Sequence, residues 1–292
     1  MAPSTAHSGE ARTLLDRTDR NREAVRYLVV PQAVATAVVV GVVLALVVTW
    51  WIGLIAAVLA GAAVAVVLPR SASAGLDAVF GSRPAPEPEF PRFHNLMEGL
   101  AISSGAVAPE LRVIDEPRPN LAVYGPPDEG VVVATTGLLE HLDRVELEGI
   151  LAEALVRLRS HDAHLGAQAA VLVCGPQVRN GPRRSGRPMG LVTFLAPLRS
   201  RRLHQVLGPQ REFLSDLGAV DITRYPPGLG SALEKMEQHG TGVESATWGT
   251  AHLWLAAPLV EPADGDTAAL GLNELFGGGA PIDQRASLMA EL

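Results

Sequence analysis

No charged residue occurs between Tyr27 and Leu68, a run about twice the roughly 20 residues that one helix needs to cross a bilayer. Hydrocarbon offers backbone groups no water to bond, so such a run satisfies itself as helix. The length predicts two transmembrane helices, at 27–48 and 52–69, turning through Thr49, Trp50, Trp51, Ile52 and Gly53. A Trp pair suits a membrane interface, where an amphipathic ring sits at headgroup level. Small residues recur at every fourth position on both arms: Ala33, Ala37, Gly41 and Ala45, then Gly53, Ala57, Gly61 and Ala65. That spacing lets two helices approach closely, although Ala and Gly are abundant throughout. Arginines precede the first helix (Arg12, Arg17, Arg20, Arg22, Arg26) and follow the second (Arg70, Arg83), and the tip carries none. Both ends are therefore expected on the cytoplasmic side of a multi-pass inner-membrane protein.

The polar stretch 1–26 lacks a signal-peptide cleavage pattern and reads as a flexible cytoplasmic tail. Residues 70–92, with PAPEPEFP at Pro84 to Pro91, read as a stiff extended linker. That leaves 93–292 as one cytoplasmic domain. A 292-residue chain with 48% apolar content and mean hydropathy +0.21 suits a membrane segment joined to such a domain better than a small soluble protein. A net charge of −7 and a pI near 5.6 argue against a nucleic-acid footprint. The single Cys174 permits no internal disulfide and fits a reducing compartment.

Within the domain the most ordered pattern is Leu147 to Asp162, LEGILAEALVRLRSHD. Asp143 can cap the helix start, and Glu146 reaches back in a capping box. Leu147, Ile150, Leu151, Ala154, Leu155 and Leu158 recur at helical spacing and predict one buried side. Glu153 and Arg157 stand one turn apart on a common face. Short strands are expected at Leu111 to Ile114, Ala122 to Tyr124 and Val131 to Thr135, between the turn-forming PRPN and GPPDEG.

The chain resembles the HtpX-type membrane zinc endopeptidases over nearly its whole length. The resemblance is carried by the Leu147 to Asp162 helix, NLMEGLAISSG (Asn95 to Gly105), VIDEPRPNLAVYG (Val113 to Gly125) and VVVATTGLLEHLDR (Val131 to Arg144). REFLSDLGAVDIT (Arg211 to Thr223), TAHLWLAAPL (Thr250 to Leu259) and LFGGGAPIDQR (Leu275 to Arg285) extend it. It implies an α+β, mostly helical architecture: a transmembrane hairpin followed by a zincin-like domain with a small sheet. It also implies that an edge strand of that sheet holds an extended peptide by strand addition.

What departs from the resemblance is the HExxH motif, in which two His bind zinc and the Glu deprotonates the metal-bound water. Glu153 stands at the first His position, Ala154 at the base and Arg157 at the second His. Ala154 cannot take a proton, and a guanidinium offers a metal no lone pair. The family's third ligand is matched by Glu212, and its supporting residues by Asp216 and Arg285. Its transition-state His falls on Gly279. The expectation is that Arg157 stands where zinc stood and bridges Glu153 and Glu212. The plainer alternative is an exposed i,i+4 pair contributing about 0.3–0.5 kcal/mol.

His161 and His164 could form a displaced metal site with Asp162; His94, His141, His204 and His252 have no ligand partners visible in sequence. Active relatives insert two further membrane helices after the motif, but the apolar pieces here, about Ala167 to Cys174 and Met189 to Leu198, are too short to span. They lie among Arg179, Arg183, Arg184, Arg187, Arg199, Arg201 and Arg202. They read either as a reduced hairpin resting on an anionic leaflet or as a solvated loop with core segments.

The expected function is that of a catalytically inactive pseudo-metallopeptidase without a cofactor, a membrane-bound partner of an active homologous peptidase or of a membrane-protein client. The alternative is a zinc metalloendopeptidase with a non-standard site built from Glu153, Glu212 and His161.

Overall fold

The structure is a computed structural model that describes residues 5–47, 50–174, 190–208, 210–262 and 267–292. The chain divides into two compact units, Met1–Leu76 and Asp77–Leu292.

The first unit is built from α1 (Thr5–Val47) and most of α2 (Trp50–Phe80). Within them, Asp16–Leu46 and Trp50–Val67 are long and apolar enough to cross a membrane. Their side chains point outward, as with Val34, Leu46 and Leu59, and an apolar surface of this extent calls for a lipid or protein cover. The two helices meet along the small-residue stripe. A Cβ on Gly53 would come within 2.6 Å of the Gly41 carbonyl oxygen and 2.7 Å of the Ala45 nitrogen. A Cβ on Gly41 would lie 2.9 Å from that of Ala57, and one on Gly61 3.1 Å from that of Ala37. Val48 and Thr49, at the expected turn, lie outside the described residues; Trp50 and Trp51 beside it are exposed.

The flexible tail expected over 1–26 is corrected by the structure: α1 is helical from Thr5. The physical reason is compositional, since Ala, Arg, Leu and Glu favour helix and no Gly or Pro falls between Glu10 and Arg26.

The second unit is helix-rich with one four-stranded mixed sheet, the expected α+β class. Its strands are β1 (Arg83–Pro84), β2 (Glu110–Ile114), β3 (Leu121–Tyr124) and β4 (Val131–Thr135), in the order β1-β2-β4-β3. β2 and β4 run parallel with Leu111 opposite Val132, while β3 runs antiparallel to β4 with Val123 opposite Val132. The three strands read from sequence are present; β1 falls in the expected linker. Arg83 and Pro84 pair with Val113 and Arg112, the Ala85 N–H donates to the Leu111 carbonyl at 2.9 Å, and Arg83 forks onto Glu89. Of the expected linker, residues 70–80 continue α2 and residues 83–89 are part of the domain. Proline is tolerated there because an edge strand need not donate from every residue.

After the linker comes α3 (Pro91–Ser104); α4 (Thr136–His141) follows β4, and α5 (Arg144–Arg159) comes next. Phe93, Leu96, Met97 and Leu100 of α3 pack with Val113, Leu121, Val123 and Val132 of the sheet and Leu147, Ile150 and Leu151 of α5 in one hydrophobic core. The chain continues through α6 (Asp162–Ala169), a π-helical turn (Ala170–Cys174) and α7 (Gly190–Leu207). Then come α8 (Arg211–Thr223), α9 (Pro226–His239), α10 (Thr267–Phe276) and α11 (Ile282–Glu291). Arg179, Arg183, Arg184, Arg187 and Met189, part of the expected reduced hairpin, lie outside the described residues.

At one of its two edges the sheet is covered by the chain itself. Strand β3 is outermost, but Trp254 bridges Ala122, the Leu255 N–H donates to the Leu121 carbonyl at 2.7 Å, and the Asn120 amide donates to the Ala256 carbonyl at 3.1 Å. The chain's own segment takes hydrogen bonds that an added peptide strand would use.

Candidate functional site: a buried ion cluster beside a cleft

Helix α5 positions the site. Its start is fixed as the sequence predicts: the Asp143 carboxylate accepts from the Val145 and Glu146 N–H groups, and Glu146 accepts from the Asp143 N–H. Glu146 is also tied to α9, accepting from Ser231 at 2.6 Å and Lys235 at 2.7 Å. Two glycines then allow neighbours in close. A Cβ on Gly149 would sit 2.9 Å from the Leu229 nitrogen of α9, and one on Gly218 of α8 would sit 2.8 Å from Val156. With α8 and α9 packed on it, α5 is buried nearly all round. Glu153 and Arg157 therefore point into protein, with side chains 1% and 3% exposed. The solvated i,i+4 pair is excluded.

The expected bridge is replaced by a different arrangement. Arg157 Nε lies 3.9 Å from Glu153 Oε1, too far for a hydrogen bond, and 3.7 Å from Asp162 Oδ2. Its Nη2 donates to the His252 carbonyl at 3.3 Å. Glu212 is taken instead by its neighbour: Arg211 Nε lies 3.2 Å from Glu212 Oε1 and 3.7 Å from Asp162 Oδ2. Arg211 also donates to the His252 carbonyl. Two guanidinium groups thus converge on one carboxylate and one backbone oxygen. Asp162, at the first turn of α6, occupies the bridging role expected of Glu212.

Burial governs the electrostatics. Desolvation pushes the Glu153 carboxyl up to about 7, opposed by Arg157 and Arg285, and among the described residues Glu153 Oε2 has no hydrogen-bond partner. Arg157 is pulled below its ordinary value by the same burial, with Glu153 opposing. His252 is driven down to about 3 by burial and by Arg211. It is neutral, and its Nε2–H donates to the Gly166 carbonyl at 2.9 Å.

Asp216 and Arg285 form a fully buried, bidentate pair. Nε and Nη2 of Arg285 donate to the two Asp216 oxygens at 2.7 Å each, and both side chains are 0% exposed. A third donor, Nη1, reaches the Leu255 carbonyl. Desolvation alone would lower the Arg285 pKa, but Asp216 reverses the direction and raises it.

Beside the cluster opens a cleft of about 520 Å³, walled by Leu207, Phe213, Trp254 and Phe276, with Arg211, Glu212, His204 and Gly279 at its polar end. A Cβ on Gly279 would lie 3.6 Å from Glu212 Oε1. A side chain there would start in van der Waals contact with Glu212, at the position where the resemblance implies a His.

These residues do not fit a zinc ion. The second ligand position holds a buried guanidinium, which has no lone pair and repels a cation. At the first, Glu153 is held partly protonated at neutral pH by its surroundings. Among the described residues no three His, Cys, Asp or Glu side chains are grouped to hold a metal, so His161, Glu153 and Glu212 do not assemble as a ligand set. His161 caps α6 in a left-handed conformation (φ 58°), and His164 is buried with its pKa lowered by desolvation. Sequence reasoning missed Arg211 and His252. Adjacency to Glu212 could have flagged the first; a backbone carbonyl acceptor leaves no trace in sequence.

No protein-family model matches the chain, and no solved structure matches it. Curated proteins do. The chain is 36% identical over 222 residues to the protease HtpX homolog of Dictyoglomus thermophilum, covering 70% of each chain. It is 32% identical over 198 residues to that of Tropheryma whipplei, with 61% of this chain and 67% of the relative covered. To that of Caldanaerobacter subterraneus it is 28% identical over 235 residues, with 73% and 75% covered. The fold defines the class, a helix-rich α+β domain that follows two apolar helices in the chain. Within that class, the chain belongs to the HtpX protease family.

Proposed function

We propose that this protein is a pseudo-metallopeptidase: a membrane-anchored member of the HtpX family that binds but does not cleave. It acts as a regulatory or binding partner of an active homologous peptidase or of a membrane-protein client, in membrane-protein quality control. Both chain ends lie on the cytoplasmic side, as the arginine bias argues. The observation that carries this reading is the buried Arg157 at the second ligand position, paired with Glu153 and Asp162. A metallopeptidase needs a lone-pair donor there and a carboxylate at position 154 to accept the proton of metal-bound water. Arginine and alanine supply neither. The cleft beside the cluster supports the reading that a polypeptide is held there.

Restoration tests this reading. The triple change Glu153→His, Ala154→Glu and Arg157→His, made in the full chain and supplied with zinc, is expected to yield zinc-dependent cleavage of a disordered protein substrate. The unaltered protein is expected to give none. Zinc-dependent, chelator-sensitive cleavage by the unaltered protein would contradict the proposal and support the non-standard site of Glu153, Glu212 and His161.

A further inference from the structure

Every Asp, Glu, Lys or Arg position from Ala163 to Gln210 is an arginine, in a chain whose net charge is −7. Runs of one charge sign are often interaction segments. Helix α7 shows how part of it is presented. Ala196, Ser200 and Leu203 are buried, at helical spacing, and Ser200 donates to the Leu275 carbonyl. Arg199 is turned inward and donates to the Cys174 carbonyl at 3.3 Å. The other face carries Leu198, 67% exposed, beside exposed Arg201, Arg202 and Gln205. An exposed Leu next to two solvated guanidinium groups is the chemistry of an interfacial helix, with apolar atoms at the acyl boundary and cations at the phosphates.

We propose that the Leu198, Arg201 and Arg202 face of α7 docks on an anionic lipid surface. An exposed Leu beside two cations complements the acyl and phosphate layers of an anionic bilayer together, a pairing that an acidic protein face does not call for. The two apolar helices of the same chain keep such a surface at high local concentration.

The test uses the full chain with Leu198→Cys labelled by an environment-sensitive fluorophore; Cys174 is buried, so the label reports position 198. In nanodiscs containing phosphatidylglycerol the emission is expected to shift to the blue relative to phosphatidylcholine nanodiscs. The shift is expected to shrink at 1 M salt, where the Debye length falls to about 3 Å, and to vanish when Arg201→Glu and Arg202→Glu are added. Both arginines are exposed, so the melting temperature of that variant is expected to be unchanged. Equal emission in the two lipids, or a shift that survives charge reversal, would overturn the proposal. So would the same shift produced in detergent by inorganic phosphate alone.

Discussion

Arg285→Ala is expected to destabilise the domain by about 3–5 kcal/mol, because it leaves the Asp216 carboxylate buried without its cation. Asp216 is 0% exposed and takes two 2.7 Å hydrogen bonds from that one guanidinium. The Leu255 carbonyl loses its donor as well. For a domain of this size the loss corresponds to a fall in Tm on the order of 10 °C. The double variant Arg285→Met with Asp216→Leu is expected to recover most of the loss, since apolar side chains of similar volume replace a buried pair at little or no cost. Thermal unfolding of the detergent-solubilised single and double variants checks this. A single variant that melts like the unaltered protein would mean that water reaches Asp216.

Glu153→Gln is expected to stabilise the protein, and more so at high pH. The folded Glu153 pKa of about 7 lies above its ordinary 4.5, so the folded state holds the proton more tightly than the unfolded chain. Folding gains from this below pH 4.5, and the gain is lost as pH rises through 7. Above pH 7 the buried carboxylate costs about 3 kcal/mol, from 1.36 kcal/mol per pKa unit, and glutamine removes that cost. His252 works in the opposite sense. Its folded pKa near 3 lies below 6.5, so its contribution is present above pH 6.5 and lost as pH falls towards 3. It is common to both proteins and cancels in their difference. Melting curves at pH 5 and pH 8 are expected to show a clearly larger Tm gain for the variant at pH 8. Equal gains at the two values would show that Glu153 is ionised in the folded protein throughout.

Much of the architecture was legible because it rests on local physics. The uncharged run specified two helices, and the Asp143 to Glu146 spacing specified the start of α5. Val131 to Thr135, rich in β-branched residues between turns, specified β4. What was not legible depends on tertiary contact. Pro84 joins the sheet only because Arg112 and Val113 lie beside it. The β3 edge is covered by a segment more than a hundred residues away. The pairing of Asp216 with Arg285 was approached through the resemblance, as two residues of one cleft. Arg157 keeps Glu153 at 3.9 Å, as their spacing on α5 implies, but that spacing says nothing of Asp162, which lies past the helix end and takes the place expected of Glu212. Arg211 enters the cluster only through tertiary contact with Asp162 and the His252 carbonyl, which its place beside Glu212 does not reveal.

The most direct test of the central claim, that arginine chemistry has replaced metal chemistry in this site, is the zinc content of the purified, detergent-solubilised full chain. It is measured by elemental analysis as isolated, and again after zinc loading and desalting. The expected result is zinc far below one ion per chain in both samples, with no change in melting temperature on adding a chelator. One zinc per chain that survives desalting and is lost with Glu212→Ala would contradict it.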